Sequence, residues 1–185
     1  MKNNFMVIAA LLMSGLSSAA LADAYFGASV GSAAYKVDPA VGNDFEEKGT
    51  GTKLYGGYTF NKYFAAEATM YNFAEASIGA LELDPGGSVV VGASANMKGA
   101  GAYAVGMYPV SKKINLMAKL GVLSWSADLS ANGKSRSNSG TDAAYGLAAS
   151  YAFTKQLLAV AEWESFNTDN PELSMLSIGF RFNFN

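Results

Sequence analysis

Cysteine and histidine are both missing from this chain of 185 residues. Without cysteine there can be no disulfide framework and no thiolate metal site. Without histidine the commonest general base and a leading transition-metal ligand are gone. Charge is also scarce: charged residues make up 15% of the chain, and the net charge of -2 is too small to suggest a nucleic-acid partner. Half of the residues are apolar, yet beyond the N-terminus no run is long enough for a membrane-spanning helix. The apolar residues are spread thinly along the whole length, a pattern that suits many short strands. One domain is the default at this length.

The N-terminus reads as a secretory signal, with Lys2 as its basic start and Phe5 to Leu12 as its apolar core. Ala20-Leu21-Ala22 is a small-residue cleavage site, leaving Asp23 as the mature N-terminus. The other reading, a membrane-anchor helix, needs a longer apolar core. The expected division is a cleavable signal peptide over 1–22 and a barrel domain over 23–185.

Eight segments alternate with period two, each with one apolar face. They run over 24–35, 52–60, 63–73, 96–108, 114–125, 143–153, 157–166 and 173–184. The apolar faces carry, for example, Phe26 and Val30 in the first segment and Leu116 and Leu120 in the fifth. In the fourth segment the bulky residues Tyr103, Val105 and Met107 define the expected outer face. Lengths of about 9–13 residues fit tilted strands that cross a bilayer. The connections alternate. Asn61-Lys62, 109–113 and 154–156 are tight, whereas 36–51, 73–95, 126–142 and 167–172 read as long polar loops. Short turns at one rim and long loops at the other mark an outer-membrane barrel. An even strand count puts both ends of the chain at the short-turn rim.

Charge placement gives the sharper test. With each outer face chosen by its bulky apolar residues, Lys53, Glu67, Lys98, Lys119, Glu162, Glu164 and Arg181 all fall on the opposite face. A charge facing hydrocarbon costs roughly 2–4 kcal/mol near the midplane, whereas a lumen charge can find water or a partner. A lipid-embedded sheet must also close, because nothing in hydrocarbon satisfies free backbone N–H and C=O groups. A soluble ligand-carrying barrel would show the reverse, an apolar interior and a polar exterior. The tight turns are basic, through Lys62, Lys112, Lys113 and Lys155, while the long connections lean acidic. Tyr58, Phe60, Tyr63, Phe64, Tyr108, Tyr151, Phe153, Phe182 and Phe184 gather near the short-turn rim, as an interfacial girdle would.

The order of several segments resembles the OmpA-like transmembrane barrels. Asp23-Ala24-Tyr25-Phe26-Gly27-Ala28-Ser29-Val30-Gly31 is similar to that family's first strand. The stretch from Leu54-Tyr55-Gly56-Gly57-Tyr58 through Asn61-Lys62-Tyr63 to Glu67 resembles its second hairpin, and Ala118-Lys119-Leu120-Gly121 its fifth strand. Ile178-Gly179-Phe180-Arg181-Phe182-Asn183-Phe184 resembles the aromatic C-terminal strand read by the barrel-assembly machinery, which makes Phe180, Phe182 and Phe184 the expected assembly signal. The resemblance covers nearly all of the expected mature chain. It implies an eight-stranded, all-β, antiparallel up-and-down transmembrane barrel of the bacterial outer membrane. It also implies a lumen of paired acidic and basic residues, for which Glu67, Lys119, Glu162 and Arg181 are the midplane candidates. Such a network either plugs the barrel or gates a narrow path. A cell-wall tether is not implied, because the sequence holds the barrel alone.

Other motifs fail on their context. Gly99-Ala100-Gly101 and the glycines of 27–31 lack the Lys-Ser/Thr and the helix that a phosphate cradle needs. Asp84-Pro85-Gly86-Gly87 lacks the ligand spacing of a calcium loop. The lipid hydrolases, acyltransferases and proteases built on outer-membrane barrels use a histidine, usually beside a serine or carboxylate, and no such site can be assembled from this sequence. The expectation is therefore a non-enzymatic barrel with no cofactor and no metal, serving a structural or surface-interaction role. The alternatives are a narrow pore for ions or small solutes, and a surface adhesin or colonisation factor. Expected partners are outer-membrane lipid and lipopolysaccharide, the assembly machinery and periplasmic chaperones during biogenesis, and a host-surface or phage partner at the loops. Nucleic acid is not expected, and the barrel is expected to be a monomer.

Overall fold

The computed structural model describes residues 23–37, 45–78, 93–131, 134–167 and 172–184. The expected signal peptide lies outside the described residues. Eight strands follow one another: β1 Ala24–Val37, β2 Phe45–Asn61, β3 Phe64–Ile78, β4 Ala93–Pro109, β5 Ile114–Ala131, β6 Lys134–Ala152, β7 Leu157–Phe166 and β8 Glu172–Asn183. Each pairs antiparallel with the next, and β1 pairs with β8, so the sheet closes with no free edge. Among the described residues there is no helix.

The pleat separates the two faces. Leu54, Met70, Leu120, Leu147, Ile178 and Phe180 stand on the outside, while the alternate residues are buried in the lumen. Lys53, Glu67, Lys119, Glu162, Glu164 and Arg181 are among the buried ones. This inside-out polarity is what hydrocarbon requires of a barrel. The outer apolar band gives way to polar residues at Thr52, Asn72 and Ser126, beyond which the strands continue.

At the short-turn rim Asn61 accepts hydrogen bonds from the backbone N–H groups of Tyr63 (2.8 Å) and Phe64 (3.1 Å), which closes the β2–β3 turn. Ser111 and Thr154 play the same role in the other two turns, each taking the N–H of the residue that opens the next strand. The outer aromatics there pack against one another, as in the Phe26, Phe182 and Phe184 cluster with centroids 5.7–5.8 Å apart.

Two expectations change. The first is the face of β4. Tyr103 and Val105 point inward, at 4% and 2% exposure, Met107 is partly buried, and Ala102 and Ala104 take the outer face. The ladder decides this: Tyr103 sits opposite Glu67 on β3 and Gly121 on β5, both lumen positions, and a shift of one residue would turn every side chain over. Lys98 therefore lies on the outer face, not in the lumen. Its neighbours across the ladder are Asn72 and Ser126, so it stands among exposed polar residues above the apolar band, where the cost of a lipid-facing charge falls away.

The second change concerns the long connections. Much of what reads as loop is strand: β5 and β6 continue through 126–142 with pairing as far as Ala131 opposite Lys134. β2 starts at Phe45, β3 runs on to Ile78 and β4 starts at Ala93. Serine, threonine and asparagine hide strand periodicity here, because a ribbon with water on both faces needs no apolar alternation.

Candidate functional site

The lumen is filled in layers. Its first device is a pair of reciprocal contacts between β1 and β2, where Tyr25 lies opposite Gly57 and Tyr55 opposite Gly27. Each ring lies over the glycine on the other strand, and a Cβ at either glycine would collide with it. The glycines thus let two tyrosines enter an interior otherwise too narrow for them.

Around these rings lies a buried ion-pair cluster. Lys119 Nζ on β5 reaches Glu162 Oε1 at 2.5 Å, Glu67 Oε1 at 2.6 Å and Glu164 Oε1 at 3.5 Å. Lys53 Nζ on β2 reaches Glu162 Oε2 at 2.6 Å and Glu164 Oε2 at 2.7 Å. Hydroxyls complete the cluster: Tyr25 donates to Glu67 Oε2 at 2.9 Å, Tyr71 to Glu164 Oε1 at 2.6 Å and Thr69 to Glu67 Oε1 at 3.2 Å. Tyr103 joins through a 2.7 Å bond between its hydroxyl and that of Tyr71. Removing charges from water costs several kcal/mol per ion, so such a cluster stands only if its polar atoms find partners. Here three carboxylates share two ammonium groups and three hydroxyls.

The four midplane candidates divide accordingly. Glu67, Lys119 and Glu162 are brought together. Arg181 is not: it has no ion pair among the described residues and lies nearer the short-turn rim, opposite Gly27 and Leu158. Its guanidinium sits 4.7 Å from the centre of the Tyr25 ring, one terminal nitrogen lies 3.7 Å from the Met117 sulfur, and its Nε has no partner. Lys53 and Glu164 belong to the cluster but are missing from the midplane quartet. The signal was available: Glu162 and Glu164 share one face two residues apart, and two adjacent buried carboxylates demand a second cation.

Above the cluster, toward the long-connection rim, the lumen turns apolar. Phe73, Leu123, Phe166, Leu173 and Met175 are 0–2% exposed, and the Tyr71, Phe73 and Phe166 rings pack at centroid distances of 5.4–5.8 Å. Below it, between the cluster and Arg181, remains a void of about 10 Å³ lined in part by Tyr55, Glu67, Met117, Lys119 and Glu162. That is space for about one water molecule. Of the expected assembly signal, Phe180 and Phe182 lie exposed on the outer face of β8, and Phe184 follows the strand, also exposed.

Fold and lumen together define a transmembrane β-barrel with a side-chain-filled interior. The chain belongs to the outer membrane protein β-barrel domain family, whose profile matches residues 8–184. It is an integral protein of the bacterial outer membrane. No curated protein matches it significantly. Among solved structures it is similar to Ail, the attachment invasion locus protein of Yersinia pestis, in complex with the heparin analogue sucrose octasulfate. Identity is 21%, with 86% of this chain and 99% of that one covered at a TM-score of 0.58. The Neisserial surface protein A is 20% identical over 86% and 97% of the two chains, at a TM-score of 0.56. OprG of Pseudomonas aeruginosa is 13% identical over 86% and 96%, at 0.60. At these identities the likeness shows the fold alone.

Proposed function

We propose that this barrel is a non-conducting, non-enzymatic anchor that holds polar β-ribbons on the cell surface. One observation carries the reading: the lumen is filled across its section, with the buried ion-pair cluster beneath a sealed apolar layer that includes Phe73, Leu123 and Met175. An ion entering from outside would pass the Asp142 carboxylate, which accepts a hydrogen bond from Trp125 beside Leu123. It would then have to cross Phe73, Leu123 and Met175, whose side chains offer nothing to replace its hydration. In this reading the cluster is a structural plug, not a gate. The outer ribbons, above all β5–β6, supply the surface-contact role, with a host-surface or phage partner as their target. The barrel acts as a monomer in outer-membrane lipid and lipopolysaccharide. Phe180, Phe182 and Phe184 serve as the signal to the assembly machinery, with periplasmic chaperones acting before it.

Planar-bilayer recording of the refolded full chain tests the reading. No steady conductance is expected from the parent protein, from Glu67→Ala or from Arg181→Ala. Steady single-channel steps from the parent protein would replace the anchor by the narrow-pore alternative. Shortening the β5–β6 ribbon over 126–139 should leave insertion intact and lower whole-cell binding to surfaces.

A further inference from the structure

Below Arg181 the lumen opens into a vestibule of about 240 Å³ at the short-turn rim. Arg181 lines this vestibule as well as the small void above it, so this residue stands between them. Lys62, Thr59, Asn115, Asn183 and Asp23 are also in the vestibule wall. Arg181 is only 8% exposed, and its Nε is shielded from solvent without a hydrogen-bond partner. An anion in the vestibule therefore meets the guanidinium through a terminal nitrogen, and the Nε reports it through the shared charge. The three carboxylates of the cluster are taken up by Lys53, Lys119 and hydroxyls, and none lies within ion-pair distance of it. A buried cation left in that state is costly unless a ligand or water completes it. A guanidinium is a preferred partner of oxyanions because its charge is delocalised and weakly hydrated, so it gives up water for a phosphate oxygen more readily than an ammonium does.

We infer that the vestibule is a binding site for a small oxyanion of the phosphate class, seated on the Arg181 guanidinium and drawn in by Lys62. The field at this rim favours it. Lys62, Lys112, Lys113 and Lys155 crowd the three short turns, and a low-dielectric barrel mouth focuses their potential. Among the described residues Asp23 is the one acidic group in the vestibule wall and sets the opposing term. The volume admits such an anion with part of its hydration shell. The phosphate chemistry could come from a free anion or from a lipid headgroup. The free anion is favoured because the vestibule lies inside the ring of strands, whereas headgroups pack against its outside.

The chain has only two arginines, Arg136 and Arg181, so selective ¹⁵N-arginine labelling gives two Nε signals that an Arg136→Lys variant assigns. The probe is inorganic phosphate, titrated at constant ionic strength into the full chain in phosphatidylcholine nanodiscs, with chloride as the control. Expected is a saturating shift of the Arg181 signal with Arg136 unmoved, and a rise in the unfolding midpoint of roughly 3 °C. Arg181→Met should abolish the rise and Asp23→Asn should increase it. An Arg181 signal that does not respond to phosphate means that water alone completes the guanidinium, and overturns the inference. So does a response seen in phosphatidylglycerol nanodiscs without phosphate but never with the free anion. The labelled parent protein gives its answer even if Arg181→Met fails to fold.

Discussion

The two halves of the lumen solve the problem of filling a narrow cylinder in opposite ways. The half toward the long connections is sealed with Phe73, Phe166, Leu123, Leu173 and Met175, all fully or almost fully buried. The half toward the short turns holds polar groups and ends in an open vestibule with Arg181 at its inner end. Between them the cluster around Lys53 and Lys119 is charge-dense but hydrogen-bonded nearly throughout. Burial by itself therefore does not say what a lumen charge does. Lys119 is tied to carboxylates on β3 and β7, whereas Arg181, nearer the short-turn rim, is also buried and tied to none among the described residues.

Substitutions that treat the two halves alike should give unequal results. The largest effect is expected from Lys119→Met, which leaves Glu67 and part of Glu162 as uncompensated buried charges. A loss of about 3–5 kcal/mol should appear in urea unfolding of the bilayer-inserted barrel. Leu123→Ala opens a cavity in the apolar seal and should cost about 2–4 kcal/mol by the same measurement. Arg181→Met is expected to be the mildest. With no ion pair to break, an apolar side chain of similar reach should change stability by no more than about 1 kcal/mol in anion-free buffer, and in the stabilising direction if any. A heat-modifiability gel checks that each variant folds. If Arg181→Met proved as damaging as Lys119→Met, the contrast between a tied and an untied cation would be wrong.

Much of this architecture could be read from residue order. The short turns, the exposed Leu, Ile and Phe positions of seven strands, and the inward placement of six charges all follow from period-two alternation. β4 resisted because it reverses the rule that bulk marks the outside: its lipid-facing positions run Ala102, Ala104 and Gly106 before Tyr108 at the rim, while Tyr103 and Val105 fill the lumen. Lys98 was misplaced for the same reason. The ribbon of β5 and β6 beyond the bilayer was invisible as strand because both of its faces meet water.

The site was less legible than the fold. Alternation tells which face a residue is on, but not its height along the axis nor its neighbours across the cylinder. Those depend on strand tilt and stagger, which accumulate around the closed sheet.

What the chain's order of residues determined alone was the inside-out barrel, since hydrocarbon tolerates neither free backbone edges nor charges on the outer face. What only the closed tertiary structure decided was the partnering within it: Lys53 with Glu162 and Glu164, Lys119 with Glu67, and Arg181 with no carboxylate among the described residues. The reason is reach. Ion pairs form over a few ångströms between strands far apart in sequence, and closure of the cylinder is what sets those distances.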